Sequence, residues 1–331
     1  MARLALFFYT LFASLPLLFI IIIIFNNRNI NNLIIINYIK TYILFNKNFF
    51  IKIILILTFL VKFPIFFLHS WLPKAHVEAP VSGSILLAGI ILKLGGYGFI
   101  RLLFLLQKNS FFEIIICVRL IGGRVLSILC LAQRDIKVVI AYSSVVHIAI
   151  VIVSVISTFF IGFDGALIII LGHGLVSSGI FRGANIIYER SHSRRYLLNS
   201  GFSRIIPHFS FFWFILIVAN FSGPFSYNIL GEILLILNIS QINKFILIIL
   251  CFLSFFSAAY RLILYSSTQH GKYNNILHNI FIFNSREIII QYSHVWPLLL
   301  ILLSARLIYL SLNKRKNYYF LKKYIFIKLN F

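Results

Sequence analysis

Five ionisable side chains sit where long apolar runs make them costly: Lys62, Lys93, His147, His173 and Glu232. Lys62 falls near the middle of Phe49–Trp71 and Lys93 near the middle of Pro80–Phe104. A charge at the centre of a membrane helix costs roughly 2.5–3.5 kcal/mol on insertion. From that depth about 15 Å of hydrocarbon lies in each direction, beyond a lysine stem of about 6 Å. Snorkelling to the interface is the alternative, more open to Lys62, whose helix breaks next door, than to Lys93. Lys52, near a helix end, is expected to snorkel. Glu232 follows Gly231 inside an apolar half-helix just after Pro224. A carboxyl in such surroundings changes its charge state with its neighbours, as a proton relay requires. The alternative is a carboxyl held by the free amides of the helix start. His147 and His173 lie mid-helix, each with a serine four residues away, at Ser143 and Ser177. That spacing puts each pair on one helix face. Imidazole can take a proton on one nitrogen and release it from the other; a packing histidine bonded to serine or a carbonyl is the competing reading.

The elements that must position these groups are read with the length of a membrane span, about 20 apolar residues. Spans are expected near 4–25, 49–71, 80–104, 111–132, 137–160, 164–187, 204–240, 244–267 and 290–311, about nine in all. This is an all-α, polytopic transmembrane helix bundle. Two spans should be discontinuous: Pro64 falls mid-span two residues after Lys62, and Ser222-Gly223-Pro224 interrupts 204–240. Breaks in lipid survive only where protein or a wet cavity satisfies the freed backbone groups, and in transporters they mark ion sites. Segment 26–48 alternates Asn and Lys with Ile and reads as a loop with an interfacial stretch. Residues 313–331, with Lys314, Arg315, Lys316, Lys322, Lys323 and Lys328 among Tyr and Phe, read as a basic interfacial tail.

The chain has 331 residues, 61% hydrophobic and only 11% charged, so no soluble core could bury its apolar surface. Thirty Lys and Arg face seven Asp and Glu, a formal charge of +23. The basic residues stand singly between apolar runs or in the tail, which suits anionic lipid headgroups and not nucleic acid. Charge in the loops does not settle orientation. The three cysteines, Cys117, Cys130 and Cys251, lack metal-ligand spacing and read as packing residues. With no GxGxxG after a strand, no P-loop and no HExxH, no cofactor and no metal is expected in this chain. The apolar start lacks the features of a secretory signal, and no amphipathic presequence is seen.

The run Trp71-Leu72-Pro73-Lys74-Ala75-His76-Val77-Glu78-Ala79-Pro80-Val81-Ser82-Gly83-Ser84, continuing into Leu92-Lys93-Leu94-Gly95-Gly96-Tyr97-Gly98, closely resembles the signature of the subunit 4 family of mitochondrial NADH:ubiquinone oxidoreductase, respiratory complex I. Phe8–Leu18, Asp135-Ile136-Lys137 with Ala141-Tyr142-Ser143-Ser144, His173-Gly174-Leu175 with Tyr188-Glu189-Arg190, and Leu230-Gly231-Glu232 support it in the same order. The resemblance implies an antiporter-like subunit of about fourteen helices on two inverted repeats of about five, with ionisable groups at mid-membrane. By motif, Lys62 resembles the lysine of the broken seventh helix and Lys93 that of the eighth. His147 and His173 resemble the relay histidines of the tenth and eleventh, and Glu232 the acid of the broken twelfth. NADH, flavin, iron–sulfur clusters and quinone are then expected in partner subunits. The other membrane subunits and the lipid bilayer are the expected partners.

Against that pattern, about five helices would precede the Phe8–Leu18 block, including one whose glutamate pairs with the lysine matched by Lys62. The expected organisation is a single transmembrane domain over 1–312: a truncated first repeat (1–104), a second repeat (about 111–267) and a C-terminal helix (about 290–311). A separate chain supplying the missing helices is one completion, and without it unsatisfied groups are expected around Pro64. Three functions compete: a proton-translocating subunit of a redox-driven pump, a cation/proton antiporter subunit, and a truncated scaffold. The Lys-Ala-His-Val-Glu-Ala-Pro wording favours the first. Wording rich in Ile, Phe, Asn and Lys, with no presequence, favours an organelle-encoded, multi-pass protein of the mitochondrial inner membrane.

Overall fold

The computed structural model describes residues 2–28, 49–103, 110–224, 226–241, 244–272 and 283–304. The tail 313–331, most of the interfacial stretch expected over 26–48, the end of the 290–311 span and the side chain of Lys52 lie outside the described residues. Within them the chain is a helix bundle: α1 (Ala2–Arg28), α2 (Phe49–Lys62), α3 (Trp71–Glu78), α4 (Val81–Leu86 and Leu92–Leu103 joined by a π-turn, Leu87–Ile91), α5 (Ser110–Ala132), α6 (Ile136–Ile156), α7 (Phe160–Ser191), α8 (Pro207–Asn220), α9 (Tyr227–Ser240), α10 (Lys244–Gln269) and α11 (Ser285–Ser304). Six of these are long and apolar enough to cross a membrane, or seven when the bent pair α2 and α3 is taken as one span. α1, α8 and α9 contain shorter apolar helices. Each of the nine expected stretches contains a helix among the described residues, with α8 and α9 the halves of the broken 204–240 stretch, and six or seven of these helices are long enough to count as spans.

α6 is apolar all round and buried on every face, as expected of a helix surrounded by others. α5, α7, α3 and α9 pack on it, and α7 also meets α4, α8 and α9. α10 and α11 turn large apolar side chains outward, such as Phe245, Phe255, Ile289 and Leu303, a surface suited to lipid. The core is thus the α6–α7 pair, and the groups singled out above stand on those helices and their neighbours.

Both expected breaks occur. α2 stops at Lys62, a 3₁₀ turn spans Phe66–Leu68, and the two half-spans meet at 54°. The second half reaches Glu78, past the limit at Trp71 read from the sequence, because Trp71-Leu72 and Ala75-His76 are buried against the bundle and keep the helix inside it. The other break separates Asn220 from Tyr227, with Ser222 in the left-handed region at φ 56°.

Candidate functional site: a row of buried ionisable groups

Proline removes a backbone donor and ends the ladder, so the last carbonyls of the helix, its own included, need other partners. At the first break Arg119, on α5 and 1% exposed, supplies them: Nη1 donates to Pro64 O at 2.6 Å and Nη2 to Phe63 O at 2.7 Å. This corrects the expectation of unsatisfied groups around Pro64, since the donors come from within the chain. Gly122, one turn on, lets α5 come close; a Cβ there would fall 2.3 Å from Phe66 Cβ. Lys62 is half-buried at the end of α2, its stem against α4, where a Cβ on Gly95 would lie 3.1 Å from Lys62 Cβ. No ion pair joins Lys62 to an acid among the described residues.

Lys93 is the second residue after the π-turn. A π-turn widens the helix and disturbs its bonding ladder, and Lys93 Nζ folds back to donate to Ala88 O five residues earlier. Its stem passes Gly174, where an added Cβ would lie 3.4 Å from Lys93 Cε. That contact sets the ammonium beside His173, the preceding residue of α7. Both ring nitrogens of His173 are buried without a hydrogen-bond partner of good geometry, although the Asn220 side chain lies alongside.

The His173 ring sits 5.0 Å from that of His147, centroid to centroid. His147, on α6 and 4% exposed, meets three groups from other helices. Its Nε2 is 2.9 Å from Asn220 O at the second break, and Arg261 Nη2 of α10 also meets Nε2. Its Nδ1 is 3.4 Å from Glu232 Oε1. The spacing argument for the serines does not hold as a contact. Ser143 donates to Ile140 O at 2.7 Å and Ser177 to Gly174 O at 3.4 Å, because a serine in a helix finds its own i−3 carbonyl first. Glu232 is the sixth residue of α9, past the first turn with its free amides; Ser222 and Arg261 are close to it besides His147. Its side chain is 20% exposed and borders a cavity of about 20 Å³ shared with His147, Ser254 and Ser257. The carbonyl of Ala219, at the end of α8, accepts from Asn228 Nδ2 at 2.8 Å as well as from backbone N–H groups of the turn, so it is served by protein, while the Ser222 and Ser226 hydroxyls beside it have no hydrogen-bond partner of good geometry.

Four of the five sequence candidates therefore form one row, Lys93–His173–His147–Glu232, crossing α4, α7, α6 and α9. Lys62 stands at its near end against α4. Sequence reasoning passed over Arg119, Arg261 and Asn220. The test applied to the lysines would have found the arginines, since Arg119 follows Ile114-Ile115-Ile116-Cys117-Val118 and Arg261 precedes Leu262-Ile263-Leu264. No cluster of three or more His, Cys, Asp or Glu that could hold a metal ion occurs among the described residues.

Paired broken helices and a buried row of Lys, His and Glu define a membrane subunit of the antiporter-like class. Residues 1–257 match the profile of the NADH:quinone oxidoreductase/Mrp antiporter transmembrane family, and the chain belongs to that family. It is 45% identical over 300 residues to NADH-ubiquinone oxidoreductase chain 4 of Ceratitis capitata, covering 90% of this chain and 66% of the relative. It is likewise 45% identical over 309 residues to the protein of that name from Aedes aegypti, covering 92% and 68%. The chain thus spans about two thirds of the length of these relatives. Its fold is similar to that of a chain in respiratory complex I from Thermus thermophilus, with TM-score 0.82 at 21% identity, covering 92% of this chain and 65% of that one. It is also similar to a chain of the Mrp complex from Dietzia, with TM-score 0.78 at 14% identity, covering 93% and 66%.

Proposed function

We propose that this chain is the proton-translocating subunit 4 of NADH:ubiquinone oxidoreductase in the mitochondrial inner membrane. Lys62, Lys93, His147, His173 and Glu232 carry the protons. The observation that carries the reading is the row of buried groups from Lys93 to Glu232, which crosses four helices and ends on the second broken span. A proton released from Lys93 Nζ has His173 as its next base. The two open nitrogens of His173 let it receive on one side and release toward His147, and Glu232 accepts at the far end. Lys62, at the C-terminal end of a half-helix, feeds or biases Lys93 through charge across the Gly95 contact. Electron transfer belongs to partner subunits, which hold NADH, flavin, iron–sulfur clusters and quinone.

The partners are the other membrane subunits of the complex and the lipid bilayer. Further helices, on the same polypeptide or a separate one, pack against α1 and α2. An apolar groove of about 550 Å³ lined by Phe8, Phe12, Pro16, Leu57, Val61 and Leu68 supports this, as does the greater length of the relatives.

The deciding experiment replaces Lys93 with Met in the assembled enzyme and measures protons moved per electron. A neutral residue there eases insertion by roughly 3 kcal/mol, so assembly persists while the ratio falls. An unchanged ratio refutes the relay role of Lys93.

A further inference from the structure

The surroundings of His147 contain a conflict that a neutral imidazole cannot resolve in one state. Nε2 faces a carbonyl, Asn220 O at 2.9 Å, and a guanidinium donor, Arg261 Nη2. The carbonyl requires a proton on Nε2, and the guanidinium requires a lone pair there. Nδ1 faces Glu232 Oε1 at 3.4 Å, and its requirement is the mirror image. An ionised carboxylate needs Nδ1–H, and a protonated carboxyl needs the Nδ1 lone pair. Two arrangements follow. In one, Arg261 donates to Nε2, the ring proton sits on Nδ1 and donates to ionised Glu232, and Asn220 O is left without a donor from the ring. In the other, Nε2–H donates to Asn220 O, Glu232 is protonated and donates to Nδ1, and Arg261 has to leave.

Arg261 is built to leave. It is 1% exposed, yet its Nε and Nη1 have no hydrogen-bond partner of good geometry, and it is held by its contact with His147 and by the neighbouring Tyr260 and Glu232. Its guanidinium carbon already lies 5.1 Å from the centre of the adjacent Tyr260 ring, an aromatic surface that stays beside the cation when the His147 contact breaks. The other ionisable groups facing His147 are His173 from α7 and Glu232 from α9, with Lys93 of α4 beyond His173.

We infer that Arg261 is a positioning residue that sets the tautomer of His147 and closes Nε2 to protons until the guanidinium withdraws. Asn220 adjoins both rings, its carbonyl 2.9 Å from His147 Nε2 and its side chain alongside His173, which favours Nε2 as the approach side. When Arg261 withdraws, Nε2 gains one proton, and Nδ1 gives its own proton to Glu232 Oε1. The ring ends neutral with its proton on Nε2, and Glu232 goes from carboxylate to carboxyl. Protonation removes the negative charge that holds Arg261 near, so the withdrawn state persists until Glu232 discharges. The exchange is thereby made in single steps.

This inference rests on the proton-path reading above, and the test separates the two. In the assembled complex, Arg261→Met and Arg261→Lys are each made alone and with His147→Ala, and protons moved during NADH:quinone turnover are measured. Arg261→Met should lower proton-coupled turnover by about tenfold or more. Arg261→Lys, which keeps a cationic donor, should recover part of it. The His147→Ala, Arg261→Met double variant should pump no less than His147→Ala alone. Wild-type pumping in Arg261→Met, no recovery with Lys, or a further loss in the double variant overturns the inference, the last by showing a packing role. Lys93→Met and Glu232→Gln are run alongside. If they pump normally the proton path itself fails, whereas if they stop pumping and Arg261→Met does not, only the tautomer control fails. Complex abundance on a native gel normalises each measurement, and Arg261→Leu serves if the Met form does not assemble.

Discussion

The chemistry of the site turns on which atom faces which. Glu232 is paired through one 3.4 Å contact to His147 Nδ1, with Arg261 and Ser222 close by. The expected outcome for Glu232→Gln is loss of proton-coupled quinone reduction, because an amide cannot take the proton. Glu232→Asp should retain part of it, since a shorter acid still reaches the ring. Equal activity of Gln and wild-type enzyme would make the carboxyl structural. At this scale the sequence pointed to ionisable groups that lie close together in the bundle and said little of their partners. Lys93, His147, His173 and Glu232 were each recognisable because an ionisable group in an apolar run is costly and must have a reason. Their partners were not, since helix spacing reports only neighbours on the same helix. Ser143 and Ser177 fitted that spacing and bonded their own backbones, while Asn220 O, 73 positions from His147, made the contact.

The elements divide in the same way. Pro64 and Ser222-Gly223-Pro224 announced both breaks, since proline cannot donate to a ladder. What satisfies each break was illegible, because Arg119 is 55 positions from Pro64. The π-turn at Leu87–Ile91 also gave no signal, as Leu-Ala-Gly-Ile-Ile is compatible with a plain helix. Arg119 makes a sharp test of element-level design. Arg119→Met leaves two buried carbonyls without donors, at about 1–3 kcal/mol each. It also removes a charge that costs roughly 2.5–3.5 kcal/mol to insert. These terms nearly offset, so the amount of assembled complex should change little. The orientation of α2 at Lys62 should not survive, because the donors that fix the 54° bend are gone. Native-gel abundance near wild type with protons per electron clearly reduced is the expected pair of results. Normal pumping would show that Arg119 does not position Lys62.

For the whole molecule, the bundle leaves an apolar face at α1 and α2, where Phe12 is 80% exposed and Phe8 64%. Mass spectrometry of the purified complex, matched against every reading frame of the encoding genome, should find further apolar helices beside this chain, on the same polypeptide or another. A pumping complex containing only these 331 residues, with lipid on that face, would refute the expectation. The interior also has a lopsided charge balance. Lys93 and Arg261 line the row and Lys62 and Arg119 stand at the first break, against the carboxylate of Glu232 as the one acid in the row among the described residues. A sodium or potassium ion must carry its whole charge past these groups. Each fixed cation about 8 Å away, at an effective dielectric of about 20, adds about 2 kcal/mol to its barrier, a factor of about thirty. A proton can instead enter by displacing the one that a lysine or histidine of the row already carries, so part of the fixed charge moves on ahead of it. The expected consequence is a row that disfavours alkali cations by electrostatic repulsion rather than by pore size.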